Sequence, residues 1–177
     1  MRGILLIAFF CFLAVAATGC KKAQLRRQLK ELMGATIVLP EKITCVYNGE
    51  VYPMPDSLRE KAKLIIYIDS TECSTCRISS FWKYRELYDL STETRKFILL
   101  LLMGNTSFES IPLQEYLCDS GIVFPVYVDN LNSFLRINPA IPSDRRMHSF
   151  LIDCSGHAVF VGDPGSSVEL FDILIKT

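Results

Sequence analysis

Three stretches of the chain, KLIIYID over residues 63–69, FILLLLM over 97–103 and FPVYVD over 124–129, are apolar with almost no alternation. Runs of that kind suit strands covered on both faces. Between and after them the apolar positions change to helical spacing: Ile78, Phe81, Trp82 and Tyr88 through about Leu90, a stretch around residues 113–120, and Val168, Leu170, Phe171, Leu174 and Ile175 behind a capping Ser166 or Ser167. Residues 131–136 read as a short helix or turn. Two hairpins complete the pattern. ATIVLP and ITCVYNGEVY surround Asn48-Gly49, a pair that tolerates positive φ, while MHSFLID and HAVFVGD flank Cys154-Ser155-Gly156. After the first hairpin the order is strand, helix, strand, helix, strand, strand, helix. It predicts an α/β fold with a mixed central sheet, helices on both faces, and a C-terminal β-hairpin plus helix.

The chain has 177 residues, half of them apolar, which is enough for one globular core and an N-terminal addition. Nineteen basic residues balance nineteen acidic ones, so no field or basic strip marks nucleic acid as a partner. The opening MRGILLIAFFCFLAVAATGC has a positive start at Arg2, an apolar run from Ile4 to Ala17 and small residues before a cysteine. That is the pattern of a secretory signal, and the run is shorter than the roughly 20 residues that span a bilayer. Ala17-Thr18-Gly19-Cys20 resembles the lipobox of bacterial lipoproteins, which implies cleavage before Cys20 and lipid on that cysteine. The expected organisation is a signal peptide over 1–19, a lipid-anchored tether over 20–39 and a folded domain over 40–177. Within the tether, Leu25, Leu29, Leu32 and Met33 lie at helical spacing among Lys and Arg, with Gly34 as a stop. The helix could lie on anionic headgroups or pack against the domain; the second is preferred, because the lipid already supplies attachment.

Cys11 would leave with the signal and Cys20 would carry lipid, so the domain keeps Cys45, Cys73, Cys76, Cys118 and Cys154. Export places them in an oxidising compartment. Only Cys73 and Cys76 are neighbours, in DSTECSTCR. The spacing alone allows a redox pair, a permanent disulfide or half of a metal site. A structural zinc site generally needs four Cys or His ligands, and the chain adds only His148 and His157, both expected at the surface or in the hairpin, so no metal is expected. Cys45, Cys118 and Cys154 are expected as buried small apolar residues, two of which could bridge, and Trp82 as core. There is no G-x-S-x-G and no phosphate-cradling glycine loop.

With Cys-x-x-Cys at the junction of the first buried strand and its helix, the chain resembles the thioredoxin fold. It is most similar to TlpA-like thioredoxin lipoproteins of Gram-negative envelopes, through LIIYIDSTECSTC, SFLIDCSGHAVFVG and the closing helix. The resemblance implies Cys73 as the nucleophile, its thiolate favoured by free amides at a helix start, and Cys76 as the resolving thiol. It implies protein thiols or disulfides as partners, a membrane electron donor, a lipid-anchored position facing the periplasm on either membrane, and no organic cofactor. Several positions depart from that family: Glu72 stands where an aromatic is usual, Ser74 and Thr75 fill the motif, and Tyr67 replaces an acidic proton acceptor. Met147 stands where a cis-proline usually shapes the loop opposite the cysteines, with Pro142 five residues earlier. Arg146 and Met147 are therefore the residues expected beside a substrate chain. Arg145 and Arg146 could bind acidic partners, although a solvated loop is preferred, and Arg77 would favour the thiolate while Glu72 opposes it. These departures keep open a non-catalytic interaction module with a static disulfide.

Overall fold

The structure is a computed structural model that describes residues 21–108 and 111–176. The expected signal peptide and Cys20 lie outside the described residues. Residues 21–34 form helix α1. Its Leu32 is fully buried against the domain while Leu25 and Met33 are exposed, so the apolar face meets the body of the protein mainly at its C-terminal end. ATIVLP, expected as part of a strand or hairpin entry, makes an isolated antiparallel bridge from Thr36 to His157 but forms no strand of its own. The Ile37 amide donates to the Gly156 carbonyl at 2.8 Å, the side chain of Asn138 accepts from the Val38 amide and donates to the Val38 carbonyl, and Pro40 has no amide to give a ladder.

Strands β1 (Ile43–Tyr47) and β2 (Glu50–Pro53) form the first hairpin, with Asn48 and Gly49 at φ 52° and 75° as the tight turn requires. Then come β3 (Lys63–Ile68), α2 (Ser74–Ile78), α3 (Arg85–Thr94), β4 (Ile98–Gly104), and a small ribbon of β5 (Ser107–Phe108) and β6 (Ile111–Pro112). The remainder is α4 (Leu113–Asp119), β7 (Val126–Asp129), α5 (Phe134–Ile137), β8 (Ser149–Ile152), β9 (Ala158–Val161) and α6 (Val168–Lys176). Seven strands make one sheet in the order β2-β1-β7-β4-β3-β8-β9. β7, β4 and β3 are parallel, and the flanking pairings are antiparallel.

The continuous apolar runs are explained by two cores, one on each face of this sheet. Leu64, Ile66 and Ile68 of β3 pack with Phe81, Tyr84, Leu87 and Leu174, while Ile65 and Tyr67 face Leu32, Phe134, Met147 and Phe150. Every residue of β3 is buried. That includes Lys63, whose ammonium donates to the carbonyls of Arg59 and Lys61.

The helix expected from Cys76 to about Leu90 is broken. Ser79 and Ser80 donate their hydroxyls to the Cys76 and Arg77 carbonyls, which offers the backbone an alternative to the helical ladder. A 3-10 turn over Phe81–Tyr84 follows. Its tighter winding turns Phe81 and Tyr84 inward and leaves Trp82 79% exposed, so Trp82 is not the core residue expected. Tyr84 and Lys83 both donate to the Asp163 carboxylate at 3.0 Å, joined by the Ser166 hydroxyl at 2.6 Å and the Gly165 amide at 3.0 Å. This cluster ties the segment after α2 to the segment before α6. Burial alone would push the Asp163 carboxyl up, but the bonds from Ser166, Lys83 and Tyr84 outweigh it and hold it below the usual carboxylate range. The expected cap of α6 is Ser167, whose hydroxyl accepts from the Leu170 amide.

Candidate redox site

β3 ends at the centre of the sheet, and the chain leaves it through a turn closed by its own side chains. The Thr71 amide and hydroxyl donate to the Asp69 carboxylate at 2.8 and 2.6 Å, the Glu72 amide donates to the Asp69 carbonyl at 2.9 Å, and the Asp69 amide donates to the Glu72 carboxylate at 3.2 Å. Burial would raise the Asp69 carboxyl, yet the Thr71 donors, with His148 and Arg145 adding, bring it below the ordinary range. Asp-Ser-Thr is a recognisable side-chain turn signal in the sequence.

That turn sets Cys73 as the N-cap of α2, with its sulfur accepting from the Cys76 amide at 3.4 Å and lying 3.4 Å from the Thr75 hydroxyl. Cys73 and Cys76 are joined by a disulfide, with Cα atoms 5.4 Å apart. Both cysteines are exposed. The two charges expected to compete over a thiolate instead pair with each other, Arg77 lying 3.7 Å from Glu72. Tyr67, at the position of the acidic residue, is buried against Phe134 and His148 with ring centroids 4.8 and 5.8 Å away. Burial, with Asp69, Asp129 and Glu72 adding, drives its phenol far above neutrality, so it cannot stand in as a base.

Gly104, at the end of β4, is a site residue that the sequence reading passed over. A Cβ there would lie 2.7 Å from the Ser70 amide nitrogen and 2.9 Å from Asn132 Oδ1. The turn carrying the cysteines therefore rests directly on a bare backbone. A glycine closing an apolar strand is the signal that marks such close approach.

The loop opposite is held to the motif by β8. Beyond the β3–β8 ladder the Tyr67 amide donates to the His148 carbonyl at 2.9 Å, and residues Arg145–Met147 form a 3-10 turn capped by Asp144. That cap, accepting from the Arg146 amide at 3.1 Å, keeps Met147 out of the strand expected there. The Met147 side chain is buried in the core with Tyr67 and Phe134, and its amide donates to the Asp144 carbonyl at 2.9 Å. The Arg146 guanidinium is bound by the Asp144 carboxylate at 2.6 and 3.0 Å. Arg145, instead, reaches the motif, donating to Thr71 Oγ1 at 3.2 Å. Among the described residues no peptide bond is cis.

His148, expected at the surface or in the hairpin, directly precedes hairpin strand β8 and is buried, its Nε2 donating to the Pro142 carbonyl at 2.9 Å and closing the 142–148 arc. His157 lies exposed in the β8–β9 turn. Cys45, Cys118 and Cys154 are free thiols. Cys45 is buried as expected, and burial pushes its thiol up. Cys118 is half-buried. Cys154 is exposed, since it sits in the turn that Asp153 organises by accepting from the Ser155 and His157 amides. Among the described residues no three His, Cys, Asp or Glu side chains cluster as metal ligands, and no helix is long and apolar enough to cross a membrane.

No family model matches the chain, and no curated protein does. Solved structures do. A Chlorobium tepidum protein assigned as the thiol:disulfide interchange protein DsbE is 15% identical, aligned over 80% of this chain and 96% of its own, with a TM-score of 0.51. The exposed lipoprotein thioredoxin of Streptococcus pneumoniae strain TIGR4 is 15% identical over 76% of this chain and 98% of its own, at 0.47. The thioredoxin domain of a thiol-disulfide oxidoreductase from Bacteroides vulgatus is 16% identical over 80% and 96%, at 0.47. With the Cys-x-x-Cys pair at the end of a central parallel strand and the first of these likenesses, the chain has a thioredoxin-like fold.

Proposed function

We propose that the protein exchanges disulfides with protein partners through Cys73 and Cys76, from a position in the cell envelope to which lipid on Cys20 anchors it. The observation that carries this reading is an exposed disulfide whose first cysteine caps a helix. In the reduced form the Cys73 thiolate attacks one sulfur of a partner disulfide, forming a mixed disulfide and releasing one partner thiolate, which takes up a proton. Cys76, as thiolate, then attacks the Cys73 sulfur, closing the internal disulfide and releasing the second partner thiolate. Two electrons pass to the partner, and a membrane donor of electrons would restore the pair. The helix-start amides favour the thiolate of Cys73; the pairing of Arg77 with Glu72 leaves little net charge to add.

A reduction potential tests this, measured in glutathione buffers on protein carrying Cys45→Ala, Cys118→Ser and Cys154→Ser. A reversible two-electron transition between about −270 and −120 mV supports exchange; a pair still oxidised below about −300 mV is a structural disulfide. The second outcome would favour an interaction module, the reading to which Tyr67 and Met147 at the two departing positions lend support. Cys76→Ser in cells should accumulate mixed disulfides through Cys73 that vanish on reduction. Incorporation of labelled palmitate, lost in Cys20→Ser, tests the anchor.

A further inference from the structure

Resting on the exchange reading above, we propose that Arg145 selects the clients: its guanidinium receives a carboxylate placed beside the client's reacting cysteine, so the protein prefers disulfides in acidic segments. The inference starts from a difference between two neighbouring arginines. Arg146 is spent on Asp144 through both Nε and Nη2. Arg145, one residue earlier, has no carboxylate within ion-pair distance among the described residues, and donates to a neutral hydroxyl on the cysteine-bearing turn.

The groups around it are already engaged. Asp69 accepts from the Thr71 amide and hydroxyl. Glu72 accepts from the Asp69 amide and lies beside Arg77. Asp144 is taken by Arg146, and His148 donates from Nε2 to Pro142, while its Nδ1 is buried without a hydrogen-bond partner. Arg145 is thus an exposed cation that the Asp69 carboxylate feels through space but does not bond, since Asp69 takes its hydrogen bonds from Thr71.

Thr71 gives that cation a fixed place. Its hydroxyl hydrogen goes to Asp69, which leaves the oxygen to accept from Arg145. The guanidinium is therefore bonded to the side chain two residues ahead of Cys73, residues whose Cα atoms lie at most about 7 Å apart. A guanidinium has five N–H donors in a planar fork, and one is used here, so a carboxylate can still be met bidentately. A client chain whose sulfur approaches Cys73 brings its flanking one or two residues into that range. An Asp or Glu there meets the fork, whereas a Lys or Arg meets a like charge. Part of the cost of ordering the arginine is already met by its bond to Thr71.

The test uses the full chain carrying Cys118→Ser and Cys154→Ser, which removes the two accessible free thiols, reduced with a dithiol and freed of it, mixed in equal amounts with either of two fluorescence-quenched peptide disulfides that differ only in Asp or Asn beside each cysteine. Each protein molecule supplies the two electrons that open one peptide disulfide, and ends as Cys73–Cys76. The readout is the ratio of the two rates. In the unaltered protein the acidic peptide should be opened about two- to fivefold faster at low salt, the size of one exposed ion pair, and less so at high salt. Arg145→Ala should bring the ratio to about one, Arg145→Lys should keep part of it, and Lys96→Gln, which removes a charge at the opposite end of β4, should leave it unchanged. A preference for the acidic peptide that survives Arg145→Ala undiminished, or equal rates for both peptides in the unaltered protein, overturns the assignment of Arg145 while leaving exchange intact. Failure to open either peptide overturns the exchange reading and this inference together.

Discussion

Replacing Gly104 by Ala adds a single methyl at the point where β4 supports the cysteine turn. The new Cβ would sit 2.7 Å from the Ser70 nitrogen and 3.1 Å from Ser70 Cβ, against 3.4–4 Å for ordinary contact, so something must move by about 0.7 Å. Neither neighbour yields cheaply. Ser70 is the central residue of the Asp69–Thr71 turn that follows β3, and Asn132, the other neighbour, is fixed by its side-chain bond to the Asn105 carbonyl at 2.9 Å. Overpacking of this kind costs about 1–3 kcal/mol, offset in part by the roughly 0.4–1 kcal/mol that a stiffer unfolded chain returns where, as at Gly104, the backbone φ is not positive. We expect a net loss of about 1–2 kcal/mol, or a fall in Tm of roughly 3–8 °C for a domain of this size. Urea unfolding followed by far-UV circular dichroism measures it, because the single tryptophan is already exposed and reports poorly on unfolding. Gly34→Ala is the control: nothing lies within 4 Å of that Cβ, so the change should be neutral or slightly stabilising. Because Ser70 leads into Thr71 and Cys73, Gly104→Ala should also slow thiol exchange. Equal stability of the two variants would refute the claim that the turn rests on Gly104.

Asp163→Asn should cost about 2 kcal/mol at pH 7, since Lys83 loses its partner and a charge-assisted set of bonds is weakened. The folded carboxyl is held below its unfolded value, so its contribution is present above the unfolded value and lost as pH falls through the folded one. The difference between variant and parent should therefore shrink across the acid range in unfolding curves taken at several pH values; a constant difference would refute that origin. Leu32→Ala, at a fully buried position on α1, should cost about 2–4 kcal/mol, and no loss by denaturant titration would mean the helix is not part of the fold. Trp82→Ala should alter stability by less than about 0.5 kcal/mol, because the ring is mostly in solvent; a larger loss would mean the ring is packed.

Much of this architecture could be read from local pattern, because the strongest constraints act locally. An unbroken KLIIYID can only be satisfied by cover on both faces, and the two cores on Ile66 and Ile65 provide it. Asn48-Gly49 and the serine cap of α6 are likewise short-range signals. What escaped the sequence depends on partners far along the chain or on competition within it. Trp82 went outward because two serine hydroxyls outbid the helical ladder. His148 went inward because the arc from Pro142 offered it a carbonyl. The buried Lys63 is tolerated only because two carbonyls converge on it. At the site, the positions of Cys73 and Cys76 at a strand–helix junction were legible. The contact of Arg145 with Thr71, 74 residues apart, was not.

The exposure of both cysteines has a consequence for regiochemistry. An incoming thiolate can take either sulfur of the Cys73–Cys76 bond, and the two adducts are isomers: one frees Cys76 as the leaving group, the other frees Cys73. Where only one sulfur is open, a single isomer forms and a single serine variant captures every encounter. Here Cys76→Ser would retain the adduct at Cys73 that the exchange scheme expects, and Cys73→Ser any adduct formed at Cys76. The proportion between them would report the direction from which each partner docks.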